Sequence, residues 1–298
     1  MRLTAILKLS SKIFRTRQLV KRCLGETEEI RKHLQRLEAA SALPFEGGVA
    51  WNPDLQERAR SLLALISPVS LEGIGKVRLG GEADGGYVLP QDWGRVGGML
   101  SLGIGPENSF DLASVAAGIE VQAYDFSISS LPQSHPAIHW HREKITAEDR
   151  PHRGEISLAG ALGRFSKAGL LGVKMDIEGY EYPALLACPS EPLERILFLT
   201  GEFHGFASAI VSGLTRPMEE TFQKLQQLFA VIHVHANNQS GCRLCGGILV
   251  PQNLELTWVN RKAYSLGPCQ ELFPTLHDRP NQPGKAELFL GSFQFTSP

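Results

Sequence analysis

The sequence predicts an α/β protein, a doubly wound, mostly parallel seven-stranded sheet of Rossmann-like type with an N-terminal helical extension. Three observations predict it. Apolar runs at 98–104, 121–125, 171–177, 195–203 and 229–236 read as strands buried on both faces. Stretches of helical character separate them, at 107–117, 156–168, 181–187 and 218–229. Several of the runs end on glycines, acids or histidines, where ligands bind in such sheets, beyond the carboxyl ends of the strands.

Before the sheet come the helices. Residues 1–24 carry Arg2, Lys8, Lys12, Arg15, Arg17, Lys21 and Arg22 and no acid, interleaved with Leu3, Ile6, Leu7, Ile13, Phe14 and Val20. That pattern suits a basic amphipathic helix lying on an anionic membrane surface, or equally one packing on its own domain or a partner; a mitochondrial presequence shares the composition. Residues 26–40 continue at seam spacing through Ile30, Leu34 and Leu37, which fits a helical lead-in or a small homodimer contact. "SALPFEGG" (41–48) breaks the pattern, and a helix over 53–66 follows with Asn52 as cap and Pro53 at its first position. The division expected is an extension at 1–45, a helical lead-in at 46–70 and the α/β domain at 71–298.

Within that domain, 138–145 ("IHWHREKI") reads as a more polar strand. The segment 254–261 ("LELTWVNR") reads as a last strand, reached through a Gly-rich loop rather than a helix, which implies an antiparallel final pair. With 43% hydrophobic residues in 298, the chain can bury a substantial core. Its net charge of -1 argues against a general nucleic-acid binder. No apolar run reaches the length of a membrane span. Five cysteines suggest a reducing, cytoplasmic setting, peripheral to the inner face of a membrane if residues 1–24 bind one. Cys242 and Cys245 form a lone CxxC, read as loop thiols without a metal.

The strand ends carry the chemistry. After "LSLGIGPENSFDLA", Gly103 and Gly105 allow a tight turn, and the helix start beyond it, with Asn108 and Ser109, offers free N–H groups. Asn108 stands where a dinucleotide fingerprint needs its third glycine, which weakens a pyrophosphate reading. "VQAYDFS" ends on Asp125, an acid placed for ribose hydroxyls, beside Phe126, which can pack on adenine. A glycine turn and a ribose acid without a pyrophosphate cradle suit S-adenosylmethionine better than NAD. Three further strands end on Asp176 and Glu178, on Glu202 and His204, and on His233 and His235 with Asn237 and Asn238. In a strand, residues two apart share a side, so each pair projects together. Asp176, Glu202, His204 and His235 can orient and deprotonate an acceptor hydroxyl, while Glu178 anchors the turn or reaches the cofactor's amino group. Alternatively, Asp176, Glu202 and His235 hold magnesium or manganese. His233, deeper in its strand, reads as structural.

"LSLGIGPENSFDLA", "YDFS", "KMDIEGYEYPAL", "GEFHG" and "HVHANN", with "DGGYVLP" upstream, resemble the FkbM-type methyltransferases, a branch of the class I S-adenosylmethionine-dependent fold. The resemblance covers roughly residues 76–262. It implies methyl transfer to oxygen, often on sugars, glycans or polyketide-type products. It also implies that Gly103, Gly105 and Asp125 bind the cofactor, with Asp176 close to the transfer site. The turn "GIGPEN" departs from the family's usual acid-Gly-Ala-Asn form. The function expected is therefore an S-adenosylmethionine-dependent O-methyltransferase acting on a sugar, glycan or glycolipid-like hydroxyl. The rivals are an NAD-dependent oxidoreductase on the same fold class, a non-catalytic module of that fold, and, more distantly, a metal-dependent hydrolase.

Overall fold

A computed structural model describes residues 52–165 and 169–297. The expected basic helix, its seam-spaced continuation and the 41–48 linker lie outside the described residues. The described chain begins where Asn52 caps α1 (Pro53–Ala64), its side chain accepting from the N–H groups of Asp54 and Leu55 at 3.0 and 3.3 Å. Among the described residues, no helix is long and apolar enough to cross a membrane.

The strands and helices then follow in order: β1 (Val69–Leu71), β2 (Lys76–Leu79), β3 (Tyr87–Pro90), β4 (Gly98–Leu102), α2 (Ser109–Ala116), β5 (Val121–Tyr124) and β6 (Ile138–His141). Next come β7 (Lys144–Thr146), β8 (Glu155–Ser157), α3 (Leu158–Gly163), β9 (Leu171–Met175), α4 (Glu181–Ala187), α5 (Ser190–Glu194) and β10 (Ile196–His204). The chain continues through α6 (Phe206–Ser212), α7 (Arg216–Gln226), β11 (Phe229–Ala236), β12 (Cys242–Cys245), β13 (Ile248–Pro251), β14 (Asn253–Asn260) and β15 (Leu266–Pro268).

Seven strands form the central sheet, in the order β11-β14-β10-β9-β4-β5-β6. All run parallel except β14, which pairs antiparallel with both β10 and β11. The sheet is therefore mixed, as the helix-free approach to the last strand implied. That approach is not a plain loop: it contains the β12–β13 hairpin, and the two CxxC cysteines lie on β12, Cys242 exposed and Cys245 buried. The strand at 138–145 splits into β6 and β7, and β7 leaves the sheet to pair with β8.

Apolar residues cover both faces of the sheet. One cluster joins Leu62 and Leu63 of α1 to Leu185 of α4, Phe222 of α7 and Trp258 of β14. The other joins Leu89 of β3, Met99 of β4, Phe110 of α2, and Val121 of β5. Phe222 stacks on Trp258 at 5.8 Å between centroids and meets Tyr182, Phe203 and Phe206 within 5.9 Å. Truncating such a ring to alanine costs about 3–5 kcal/mol. This packing fixes the strand ends on which the site is built.

Strand order also locates the crevice. β4 lies between β5, the next strand in the sheet's winding, and β9, reached by a crossover. The direction of winding reverses there, and ligands of open α/β sheets bind beyond the carboxyl ends at that point.

Candidate active site

A cleft of about 170 Å³ opens at this reversal, lined by Gly103, Tyr124, Asp125, Phe126, Ser127, Glu143, Lys144, Ile145, Asp176, Ile177, Glu178 and Tyr180. Phe126 and Tyr180, 53% and 42% exposed, bring two partly exposed aromatic rings to the cleft. The Lys144 ammonium stands 3.7 Å from the Tyr180 ring centroid and 5.3 Å from that of Phe126. Spacing alone does not mark Lys144, Ile145 or Tyr180 as cleft residues. Lys144 and Ile145 belong to β7, which the sequence merges with the strand before it.

The glycine turn adopts positive φ at Gly103 (76°) and Gly105 (67°). A Cβ on Gly103 would lie 1.6 Å from the Asp176 carbonyl oxygen, so β4 and the end of β9 approach too closely for any side chain. Above Gly105 a Cβ would meet nothing within 4 Å. Asp125 closes the turn. Its Oδ2 accepts from the N–H groups of Ile104 and Gly105, both at 2.9 Å, and its Oδ1 accepts from the N–H and hydroxyl of Ser127 at 2.7 and 2.6 Å. A carboxylate offers about four acceptor positions, so Asp125 has none left for the ribose hydroxyls expected of it. Burial raises its pKa, but the donors from Gly105, Ser127 and Ile104 outweigh that and hold it below the ordinary value.

Two other expected cofactor contacts also have different work. Asn108 is buried; it donates to the Gln133 carbonyl at 2.8 Å and accepts from the Gln133 N–H at 3.2 Å, pinning the loop after β5 to the start of α2. Ser109 donates its N–H to Glu107 and lies outside the cleft lining, as does Gly105. Gly103, Asp125, Phe126, Asp176 and Glu178 do come together in one cleft.

The register explains how the acids line up. Gly201 pairs with Met175, Glu202 with Glu255, and Glu255 with His235, so Asp176, Glu202, Glu255 and His235 form one rank across four neighbouring strand ends. At the cleft end of that rank, His204 gathers the carboxylates. Its Nδ1 lies 3.1 Å from Glu181 Oε1, and its Nε2 lies 3.4 Å from Glu178, 3.7 Å from Glu202 and 3.9 Å from Asp176. Glu181, at the start of α4, also accepts from the N–H groups of Ile177 and Gly179 and so folds the turn that follows β9. The hydroxyl of Tyr87, in the "DGGY" stretch, donates to Asp176 Oδ2 at 3.3 Å. Lys174 reaches across to donate to the Gly103 carbonyl.

The electrostatics follow from this crowding. Burial lowers the His204 pKa, yet the Glu181 hydrogen bond and charge, with the charges of Glu202 and Asp176, carry it up to about 9. Burial, with the Asp176 and Glu255 carboxylates beside it, pushes Glu202 up to about 7. Asp176 is raised by burial, against the pull of Lys174 and His204. It still keeps 26% of its side chain exposed toward the cleft.

His235 does not reach the cleft. It is 1% exposed, with Nδ1 held by Glu255 at 2.8 Å and Nε2 by Glu287 at 3.0 Å. Both ring nitrogens are engaged, so His235 cannot act on an acceptor or complete the expected metal set with Asp176 and Glu202. Residues 269–297, almost without regular structure, cover this end of the sheet. They supply Glu287 to His235, Asp278 to His233 at 2.8 Å, and Asn281 to Glu255. His233 is structural, as its depth in the strand implied. Glu202 is 5% exposed and accepts from Asn237 and Asn253, which makes it a wall behind His204 rather than a cleft residue.

No protein-family model matches the chain, and no curated protein matches it.

Proposed function

We propose that the chain is an S-adenosylmethionine-dependent O-methyltransferase of FkbM type and class I fold, acting on a hydroxyl of a sugar, glycan or glycolipid-like acceptor. One observation carries the reading: the aromatic-walled cleft at the winding reversal is lined by Asp176, whose Oδ1 lies 3.9 Å from His204 Nε2. The residue types fit the cofactor. Phe126, Tyr180, Ile145 and Ile177 offer π and apolar faces to a purine, and Asp176 and Glu178 offer negative charge to a cationic sulfonium end.

When bound, S-adenosylmethionine supplies an electrophilic methyl group. The chain's residues place the acceptor and take its proton. Asp176 and Glu178 both line the cleft and face His204; Asp176, the more buried of the two and the one that Tyr87 holds, is positioned to receive the hydroxyl proton. Tyr87 on Oδ2 and His204 near Oδ1 orient that carboxylate from two sides. Glu181 holds the imidazole, and the glycine turn, tied by Asp125, sets the floor.

Thermal unfolding of the full chain with S-adenosylhomocysteine or NADH tests the reading. Stabilisation by S-adenosylhomocysteine is expected. Stabilisation by NADH instead would favour an oxidoreductase, and none by either would favour a non-catalytic module.

A further inference from the structure

The group around His204 carries more negative charge than its neighbours balance. Asp176, Glu178, Glu181 and Glu202 all stand within 3.9 Å of one imidazole. The other nearby cation, Lys174, pulls on Asp176 while donating to the Gly103 carbonyl, which still leaves four carboxylates facing two cations. A second observation is independent of the charge. Glu181 is fully buried, and while its Oε1 takes three hydrogen bonds, its Oε2 has no partner. A buried carboxylate oxygen without a donor is costly, and a bound cation is one of the few ways to satisfy it. The third observation is spatial: Asp176, Glu181 and His204 each bring a ligand atom within 4.8 Å of the other two.

We propose that Asp176, Glu181 and His204 bind a divalent cation at the edge of the cleft. Two carboxylates with one imidazole and no thiolate suit a hard divalent ion such as manganese or magnesium. Ligand atoms on such an ion stand roughly 3–4 Å apart, so binding asks only for short side-chain movements. Glu178 and Glu202 then face the ion's waters from outside the ligand set. The ion's open positions point to an acceptor with adjacent hydroxyls: chelation fixes the diol and lowers the pKa of the hydroxyl it holds. This role, though not the binding itself, rests on the function proposed above.

The test is manganese binding followed by electron paramagnetic resonance on the full chain without cofactor. Saturable loss of the free Mn²⁺ signal is expected, with one ion per chain, reversed by excess Mg²⁺. Asp176→Asn and Glu181→Gln should each weaken binding by about 10- to 100-fold or more. Circular dichroism accompanies each variant. If Glu181→Gln fails to fold, Asp176→Asn, altered at a partly exposed side chain, decides the matter. A folded wild-type chain that leaves millimolar Mn²⁺ free, or an Asp176→Asn chain that binds it as wild type does, overturns the proposal. S-adenosylmethionine titrated into the same samples separates the two ideas: cofactor without manganese refutes the ion alone, and manganese without cofactor refutes the methyltransferase reading alone.

Discussion

Replacing Gly103 by alanine tests whether the turn and the site are one construction. At φ 76° an L-residue costs about 1–2 kcal/mol. The added Cβ would also fall 1.6 Å from the Asp176 carbonyl oxygen, so the end of β9 must move. Forcing extra atoms into a packed position costs about 1–3 kcal/mol more, for a total of about 2–5 kcal/mol. Asp176 cannot shift freely, because its N–H donates to the Leu102 carbonyl at 2.8 Å, one residue before Gly103. Gly105→Ala is the matched control. It has nearly the same φ, 67°, but nothing within 4 Å of the new methyl, so it should cost only about 1–2 kcal/mol. Urea denaturation of both variants reads the difference directly. A Gly103→Ala chain no less stable than Gly105→Ala would refute the close contact between β4 and the Asp176 backbone.

Three more predictions follow from the site and its surroundings. Asp125→Ala removes the acceptor for four donors and should lower stability by roughly 3 kcal/mol in urea denaturation; a loss under about 1 kcal/mol would mean Asp125 does not tie the turn. His235→Gln should destabilise the chain yet leave its affinity for S-adenosylhomocysteine within about twofold in calorimetry, because the ring is buried between Glu255 and Glu287; a large loss of affinity in a folded chain would return His235 to the site. Burial raises the Asp278 carboxyl, but His233 and His235 pull it well below the ordinary value of about 3.9. Its stabilisation is thus present above that ordinary value and is lost as pH falls toward the depressed one. The penalty of Asp278→Asn should then be about 1 kcal/mol smaller at pH 3 than at pH 7, and an equal penalty at both would contradict the charged pairing.

Much of the architecture is legible in the sequence because parallel strands buried on both faces leave long apolar runs. Asn52 and Pro53 announce α1 through cap chemistry alone. The reversed β14 is legible too, from the missing helix before it. The pairing of Glu202 with His204 at one strand end can be read from i, i+2 spacing, which brings them to one side. What spacing cannot supply is the neighbour across the sheet. His235 lies beside Glu255, not beside Asp176, because β14 inserts between β10 and β11. Nor does any periodicity mark residues 269–297, whose Asp278 and Glu287 read as ordinary surface acids until the chain lays them over two buried histidines. Asp125 shows a subtler limit. Its residue type and position suit a ribose, but the turn before it presents two N–H groups that claim the same oxygen. Glu181 belongs to the acidic run after β9, yet only the fold shows that it lies beneath the turn, fully buried.

Isothermal titration calorimetry of S-adenosylmethionine into the full chain tests the central claim most directly. Saturable binding of one cofactor per chain is predicted, displaced by S-adenosylhomocysteine and weakened in Phe126→Ala, which removes an exposed aromatic face from the cleft. A folded chain that takes up no S-adenosylmethionine, or whose binding is untouched by Phe126→Ala together with Tyr180→Ala, would contradict it.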